Sequence, residues 1–379
     1  MSDTLFKTEF GQFDLRPSNF HPKSPLRAWN AADELLLNHL KQHCPVEFPR
    51  ILVVNDACGA LAVSLHHYEP ESWGDYYTGT QSLQLNLQRN QIESDRVDVL
   101  SSIDSLSGTY DVVLLQLPKT LSLLAFQLAH LRQHVRSDTL IVAGGMVKHM
   151  TPSMSELFEQ YIGPVQASLA EKKARLLFCQ LDETLEPEFP EATVYGVPDS
   201  PLQLVSHANV FSQQKLDIGT RFLLEHFPDT AKASRIVDLG CGNGALGLFA
   251  GWRNPAAELY FIDDSFLAVH SAEVSFLNNP LQNAAHFMPG DALDGFGDEV
   301  DLILCNPPFH EGNKVHTQIA LKMFSGASRC LRNDGQFWVV GNRHLGYHLS
   351  LKRYFRHIDV AAGNSKFVVW ACREPLRDR

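Results

Sequence analysis

The chain has 379 residues, 44% hydrophobic and 20% charged, which excludes a disordered or fibrous chain and leaves room for two ordinary domains. The net charge of −11 argues against a wholesale nucleic-acid binder, yet it is unevenly spread: residues 1–195 carry −9, residues 196–379 carry −2, and residues 343–379 hold eight basic against three acidic side chains, so a local positive face survives. An odd count of seven cysteines without C-x-x-C, 17 histidines without H-E-x-x-H, and no run of 18 apolar residues exclude a disulfide framework, a recognisable zinc site and a membrane-spanning helix.

In chain order, "AADELLL" (31–37) precedes a first strand-like run. "RILVVNDACGAL" (50–61) reads as a strand, a turn and the start of a helix. "WGDYYTGTQSLQLNLQRN" (73–90) follows with Asp75, then "YDVVLLQLPKT" (110–120) with Asp111, then a helical stretch and the strand "TLIVAGG" (139–145). "DETLEPEFPEATVYGVPDSP" (182–201), acidic and bearing prolines, reads as a linker.

Beyond it the plan repeats. "RIVDLGCGNGAL" (235–246) matches 50–61, "FIDDSFLAVHSAEVSFLNN" (261–279) matches 73–90 with Asp264 opposite Asp75, and "VDLILCNPPFH" (300–310) matches 110–120 with Asp301 opposite Asp111. "QFWVVGN" (336–342) takes the place of "TLIVAGG". Three matches in one order predict an internal duplication, with domains at 1–190 and 191–379. Strand–turn–helix alternation predicts an α/β fold, two tandem Rossmann-like domains, with ligands beyond the carboxyl ends of the strands. The copies are chemically unequal. Gly240, Gly242 and Gly244 face Asn55, Ala57 and Gly59, while Asn306 faces Gln116 and Phe309 faces Lys119. The first copy is therefore expected to be degenerate, serving recognition or stability.

The glycine turn predicts a cofactor site. Glycine permits φ > 0 and close approach of a ligand, and a helix follows with free N–H groups. Asp238 precedes the turn, and Asp263 ends the next strand where a carboxylate takes both ribose hydroxyls. Gly242, Gly244 and Gly247 also spell the dinucleotide fingerprint G-x-G-x-x-G, so NAD and S-adenosylmethionine both fit this element. Asp238 favours the second, because it suits an ammonium and repels a pyrophosphate. Asp291, in "GDAL" (290–293), accepts from an adenine amino group or caps a helix.

"NPPF" (306–309) predicts a target site. An amine conjugated to a ring is a poor nucleophile and must be held in line with the methyl, with acceptors on its hydrogens. Asn306 supplies one acceptor and the carbonyl of Pro307 another, with Pro307 and Pro308 fixing direction and Phe309 flat against the ring.

"DLGCGNG" followed by "NPPFH" resembles the class I S-adenosylmethionine-dependent methyltransferases that modify exocyclic amines. With the duplication, the chain is similar to the RsmC/RlmG family of bacterial ribosomal RNA guanine-N2 methyltransferases, from about residue 27 to 372. Residues 31–37, 172–176, 207–227 and 364–369 share in the likeness, and the large-subunit branch is the nearer. The resemblance implies methyl transfer to guanine N2 in 23S rRNA, or in 16S rRNA as the alternative. It implies S-adenosylmethionine as cofactor, a catalytic C-terminal domain and a degenerate N-terminal one. By position it assigns Asp238, Gly240, Gly242 and Asp263 to the cofactor and Asn306, Pro307, Pro308 and Phe309 to the target; Asn243 and Gly244 of the turn and Asp291 of "GDAL" join the cofactor candidates on the residues alone.

Weaker expectations complete the list. Phe211 and Lys215 line the pocket or simply pack. Arg343, His344, Lys352, Arg353 and Lys366 are candidate RNA contacts, and Phe367 is a core residue. A cytoplasmic monomer without metal is expected. A protein glutamine amide methyltransferase, a non-catalytic RNA-binding protein and an NAD-dependent oxidoreductase remain as competing readings.

Overall fold

The computed structural model describes residues 4–18, 27–308 and 314–377, with the side chains of 314–317 left aside. The chain divides into two compact units, Met1–Glu191 and Ala192–Arg379.

The first unit opens with a hairpin of β1 (Leu5–Thr8) and β2 (Gly11–Asp14). Helix α1 (Ala31–His43) starts on a capping box, in which the Asn30 side chain caps the helix and Asp33 reaches back to the Asn30 N–H at 2.8 Å. There follow β3 (Ile51–Val54), α2 (Ala60–Ser64), β4 (Glu71–Gly74), α3 (Tyr77–Arg89), β5 (Asp98–Ser101), β6 (Val112–Gln116) and α4 (Leu121–Leu131). The unit ends with β7 (Leu140–Met146), α5 (Pro152–Tyr161), β8 (Val165–Ala167) and β9 (Ala174–Cys179). Among the described residues the sheet has seven strands in the order β5-β4-β3-β6-β7-β9-β8. The first five are parallel and β9 runs against β7. Central β3, "ILVV", is buried along its whole length, as a strand covered by helices on both faces must be.

The second unit repeats the plan. It comprises β10 (Thr193–Gly196), β11 (Gln203–Ser206), α6 (Ile218–Glu225), β12 (Arg235–Leu239), α7 (Ala245–Arg253), β13 (Glu258–Asp263), α8 (Phe266–Leu277) and β14 (Ala285–Pro289). Then come β15 (Val300–Cys305), α9 (Lys314–Cys330), β16 (Leu331–Asn342), α10 (Tyr347–Leu351), β17 (Phe355–Gly363) and β18 (Phe367–Pro375). Its seven described strands are ordered β14-β13-β12-β15-β16-β18-β17, the same topology as the first sheet. Two apolar clusters cover the two faces: one contains Ile303, Cys305, Val339 and Phe324, the other Leu304, Val340, Phe367 and Leu223 of α6. The expected pair of Rossmann-like domains holds.

Register makes the correspondence residue by residue. Val54 lies level with Trp73 and Leu115, and Leu239 lies level with Ile262 and Cys305. Asp238 therefore stands where the first unit has Val53, Asp263 where it has Gly74, and Asn306 where it has Gln116. The hairpins repeat too. Asp14, Arg16 and Ser18 donate main-chain N–H groups to Asn90, Asn86 and Ser82, the latter two on α3, at 2.8, 2.9 and 3.1 Å. Gln203, Val205 and His207 do the same to Asn279, Ser275 and Ser271, the latter two on α8. This corrects one detail of the sequence reading: the proline-bearing stretch 182–201 is not all linker, because β10 lies within it.

Candidate active site

The glycine turn joins β12 to α7 at the carboxyl edge of the sheet. Gly240, Gly242 and Gly244 have φ of +71, +55 and +84°, a region open to glycine and strained for most side chains. They differ in what surrounds them. A Cβ at Gly244 would press Leu248 at 2.7 Å and Ala272 at 3.1 Å, so this glycine packs α7 against α8. A Cβ at Gly242 would meet nothing nearer than Val210 at 4.0 Å, leaving this peptide face open to a ligand.

Two carboxylates hold the turn. Asp238 is 1% exposed and its Oδ2 accepts from the Gly247 N–H at 2.8 Å. Burial pushes its carboxyl up to about 8, and neighbouring Asp263 adds to the rise. Asp263 accepts from the Gly242 N–H and the Ser265 N–H, each at 3.0 Å, and burial raises it as well. The helix start is thus lined by acid, with the N–H groups of Gly242 and Gly247 already taken. A pyrophosphate needs bare N–H groups and no facing carboxylate, so the dinucleotide reading does not fit. A ligand bearing an ammonium and ribose hydroxyls does.

The other cofactor candidates have structural partners. Asn243 donates to Tyr195 Oη at 2.7 Å and Ser206 Oγ at 2.9 Å, tying the turn to the hairpin. Asp291 lies beyond β14 on the same edge, with its carboxylate paired to Lys322 Nζ.

At the tip of β15, Asn306 is fixed by α6. Its Nδ2 donates to Asp217 Oδ2 at 3.0 Å and to Thr220 Oγ1 at 2.8 Å. Asp217 is the N-cap of α6 and also accepts the Thr220 N–H at 2.9 Å. Because an ionised carboxylate can only accept, the amide has one orientation, with its NH₂ toward α6. Its Oδ1 is buried and has no hydrogen-bond donor. Gly219 leaves room there: a Cβ at that position would sit 3.5 Å from Asn306 Oδ1, 3.4 Å from Phe367 and 3.0 Å from Asp217. Pro307 and Pro308 follow directly, and Phe309 lies outside the described residues.

The candidate RNA residues separate. The Arg343 N–H bonds the Lys366 carbonyl at 2.8 Å, and the Arg343 guanidinium donates twice to the Asn364 carbonyl, at 2.9 and 2.7 Å. Lys366 lies over the Phe367 ring, 5.2 Å from its centre. Both residues are at the site edge. Lys352 and Arg353 are not, for they precede β17, whose start pairs with the far end of β18 at the amino edge of the sheet. Phe367 is 5% exposed, in the core as expected, whereas Phe211 is 59% exposed and does not pack as a core residue.

In the first unit the same places are filled. Asn55 adopts φ +62° where Gly240 stands, and its Nδ2 bonds the Gln116 carbonyl at 3.0 Å and Gln127 Oε1 at 2.8 Å. Asp56, within the turn, accepts the N–H groups of Ala60, Leu61 and Ala62 at 2.8, 2.9 and 2.8 Å. The protein's own side chains occupy the helix start and the strand tip. Asp217, Gly219 and Thr220 escaped the sequence reading. The signal was present as an Asp cap two residues before a glycine in a helical stretch, where glycine is a poor helix former.

Among known families, residues 3–183 match the RLMG N-terminal domain and residues 201–371 the methyltransferase small domain. Relatives from Pseudomonas paraeruginosa and Pseudomonas aeruginosa, each a ribosomal RNA large subunit methyltransferase G, are 45% and 44% identical over 367 residues, covering 96% of this chain and 98% of each relative. Among solved structures, the T. thermophilus 16S rRNA N2 methyltransferase RsmC in complex with AdoMet and guanosine aligns with a TM-score of 0.76 over 98% of this chain and 97% of its own, at 19% identity. At that identity the likeness speaks for the fold.

Proposed function

The chain belongs to the ribosomal RNA large subunit methyltransferase G family, and from that membership we propose that it transfers the methyl group of S-adenosylmethionine to the exocyclic N2 of a guanine in large-subunit rRNA. Ala192–Arg379 is the catalytic unit in this reading, and Met1–Glu191 serves RNA recognition or structural support.

One observation carries the proposal. The amide of Asn306 is locked by Asp217 and Thr220 so that a bare, buried carbonyl oxygen stands at the strand tip, on the same sheet edge as the open Gly242 peptide. When bound, the cofactor supplies an electrophilic methyl group on a sulfonium. Asn306 Oδ1 and the Pro307 carbonyl accept the two hydrogens of the guanine amine and turn its lone pair toward that methyl. Accepting both hydrogens also opposes delocalisation of the lone pair into the ring. No strong base is required, because the proton leaves after transfer. Asp263 accepts from ribose hydroxyls, and an ammonium arriving beside Asp238 favours the charged form of a carboxyl whose pKa burial has raised. A paired and stacked guanine cannot reach Asn306, so the base must swing out of its stack.

The test uses rRNA from a strain lacking the gene and tritiated cofactor. Wild-type protein should label one guanine of large-subunit rRNA, which sequencing then maps. Asn306→Ala should lose about 10²–10³ in kcat while binding the cofactor normally. Full activity in that variant would sink the mechanism. Label that survives ribonuclease digestion and stays with protein would sink the RNA reading in favour of a glutamine amide substrate.

A further inference from the structure

Asn306 Oδ1 is not the one bare acceptor at this edge. Asn342 Oδ1, at the end of β16, is likewise buried without a hydrogen-bond donor. A third such oxygen in the second unit, on Asn283, is elsewhere: the Asn283 amide donates to the carbonyls of Asn254 and Ala257, before β13 begins. Buried acceptors are normally satisfied, so two bare ones at neighbouring strand tips ask for a ligand with donors.

Both oxygens belong to one face. Leu304 and Val340 pack in the cluster that includes Leu223 of α6, while Cys305 and Val339 pack in the opposite cluster. Alternation along β15 and β16 puts Asn306 and Asn342 on the α6 side. Cys305 lies level with Val339, so Asn342 stands one strand over from Asn306 and two residues further out. Neighbouring strands lie about 4.8 Å apart and rise about 3.3 Å per residue, so two positions so related are roughly 8 Å apart, within reach of one base. Phe367 pairs with Asn342 across β18, and its ring lies 3.4 Å from the Cβ position of Gly219, beside Asn306. The glycine turn lies on the other side of β15, so Asn342 faces the acceptor base rather than the cofactor.

Base chemistry then selects. Guanine presents two adjacent donors on its pairing edge, the N2 amine and N1–H. Adenine and cytosine present an amine beside a ring nitrogen that can only accept. Two acceptor oxygens side by side satisfy guanine and leave the other bases with acceptor facing acceptor. Resting on the reading of this site as a guanine-N2 methyltransferase centre, we propose that Asn342 is the specificity residue: its Oδ1 accepts guanine N1–H while Asn306 Oδ1 accepts from N2.

2-Aminopurine tests this, since it keeps the amine and lacks N1–H. Large-subunit rRNA fragments would carry guanine or 2-aminopurine at the mapped target. Wild-type protein should prefer guanine about ten- to a hundredfold in kcat/KM, the discrimination one good base contact gives. Asn342→Leu should bring the ratio near one with cofactor affinity and melting temperature unchanged. Asn342→Asp, which keeps an acceptor, should restore the preference. A purely structural role would slow both substrates alike, so an unchanged ratio in Asn342→Leu overturns the assignment while leaving guanine-N2 transfer intact. Wild-type protein that labels neither RNA overturns the underlying reading and this assignment with it.

Discussion

Asn55 in the first unit and Gly240 in the second have nearly the same backbone, with φ of +62 and +71°. Asparagine is among the few side chains that tolerate this region, so the turn keeps its shape while gaining a side chain. That side chain then closes the site by bonding Gln116 and Gln127. The glycine that both units keep, Gly59 and Gly244, is the one that packs: a Cβ there would sit 2.7 Å from Leu83 or Leu248. The two exchanged glycines are those at Gly240 and Gly242. An internal duplication thus separates what the fold needs from what the chemistry needs. Both units keep the hairpin-to-helix bonds, and both keep the acid that accepts the main chain entering the first strand, Asp111 for Arg50 and Asp301 for Ser234 and Arg235. Both also keep an amide at the fourth strand tip donating to a carboxylate at a helix start, Gln116 to Asp33 and Asn306 to Asp217.

The shared carboxylate has become a liability in the first unit. Burial, with Asp56 nearby, pushes the Asp33 carboxyl up to about 7, from an ordinary 3.8. A folded pKa above the unfolded one means the folded state holds its proton longer. Its stabilising contribution is complete below pH 4 and is lost as pH rises through about 7, on the order of 4 kcal/mol in all. Asp33→Asn should therefore gain steadily on the wild type between pH 4 and 8 in urea denaturation of the whole chain. A pH-independent difference would show that Asp33 ionises as an exposed carboxyl does.

The sequence made the doubled sheet legible because strand periodicity and three motif matches survive in both copies. It also brought Asp238, Asp263, Gly242 and Asn306 forward, since an acid, a glycine or an amide at the carboxyl end of a buried, otherwise apolar strand stands out from its run. Asp217 and Gly219, despite their cap-and-glycine signal, and Asn342 could not be placed at the site from the sequence. Each comes from a segment far along the chain from "NPPF" and meets it only when α6 and β16 pack beside β15. The charge count could not show that Lys352 and Arg353 stand at the opposite sheet edge from Arg343, because proximity in sequence hides the crossing of α10 from one edge to the other.

The second unit's version of the shared pair invites a sharper test. Asp217→Asn leaves an amide that can donate as well as accept, so the Asn306 side chain loses its single orientation. Methyl transfer should fall about ten- to a hundredfold in kcat, as expected when a reacting group is misplaced rather than removed. KM for the cofactor should hold. The cap bond to the Thr220 N–H can be kept, because asparagine caps a helix about as well as aspartate, so Tm should hold. Thr220→Ser, which keeps the hydroxyl acceptor, should retain activity. Equal losses in kcat and in cofactor affinity would mean that Asp217 supports the whole edge rather than the amide.

Asn55→Gly probes the opposite direction, since it gives the first unit back the second unit's glycine. The backbone accepts the change, because φ is already positive. The cost is the orphaned Gln127, which is fully buried and loses both bonds of its pair with Asn55, at 2.8 and 2.7 Å. Stability should drop by about 1–2 kcal/mol, the usual price of an unsatisfied buried group. Asn55→Gly combined with Gln127→Leu should recover most of it, because two apolar or absent partners need no bond. Neither variant should bind cofactor in the first unit, as Asp56 still caps α2 and Gly74 still stands where the second unit has Asp263. Cofactor bound at two sites per chain in equilibrium dialysis would show instead that one asparagine was all that closed the first site.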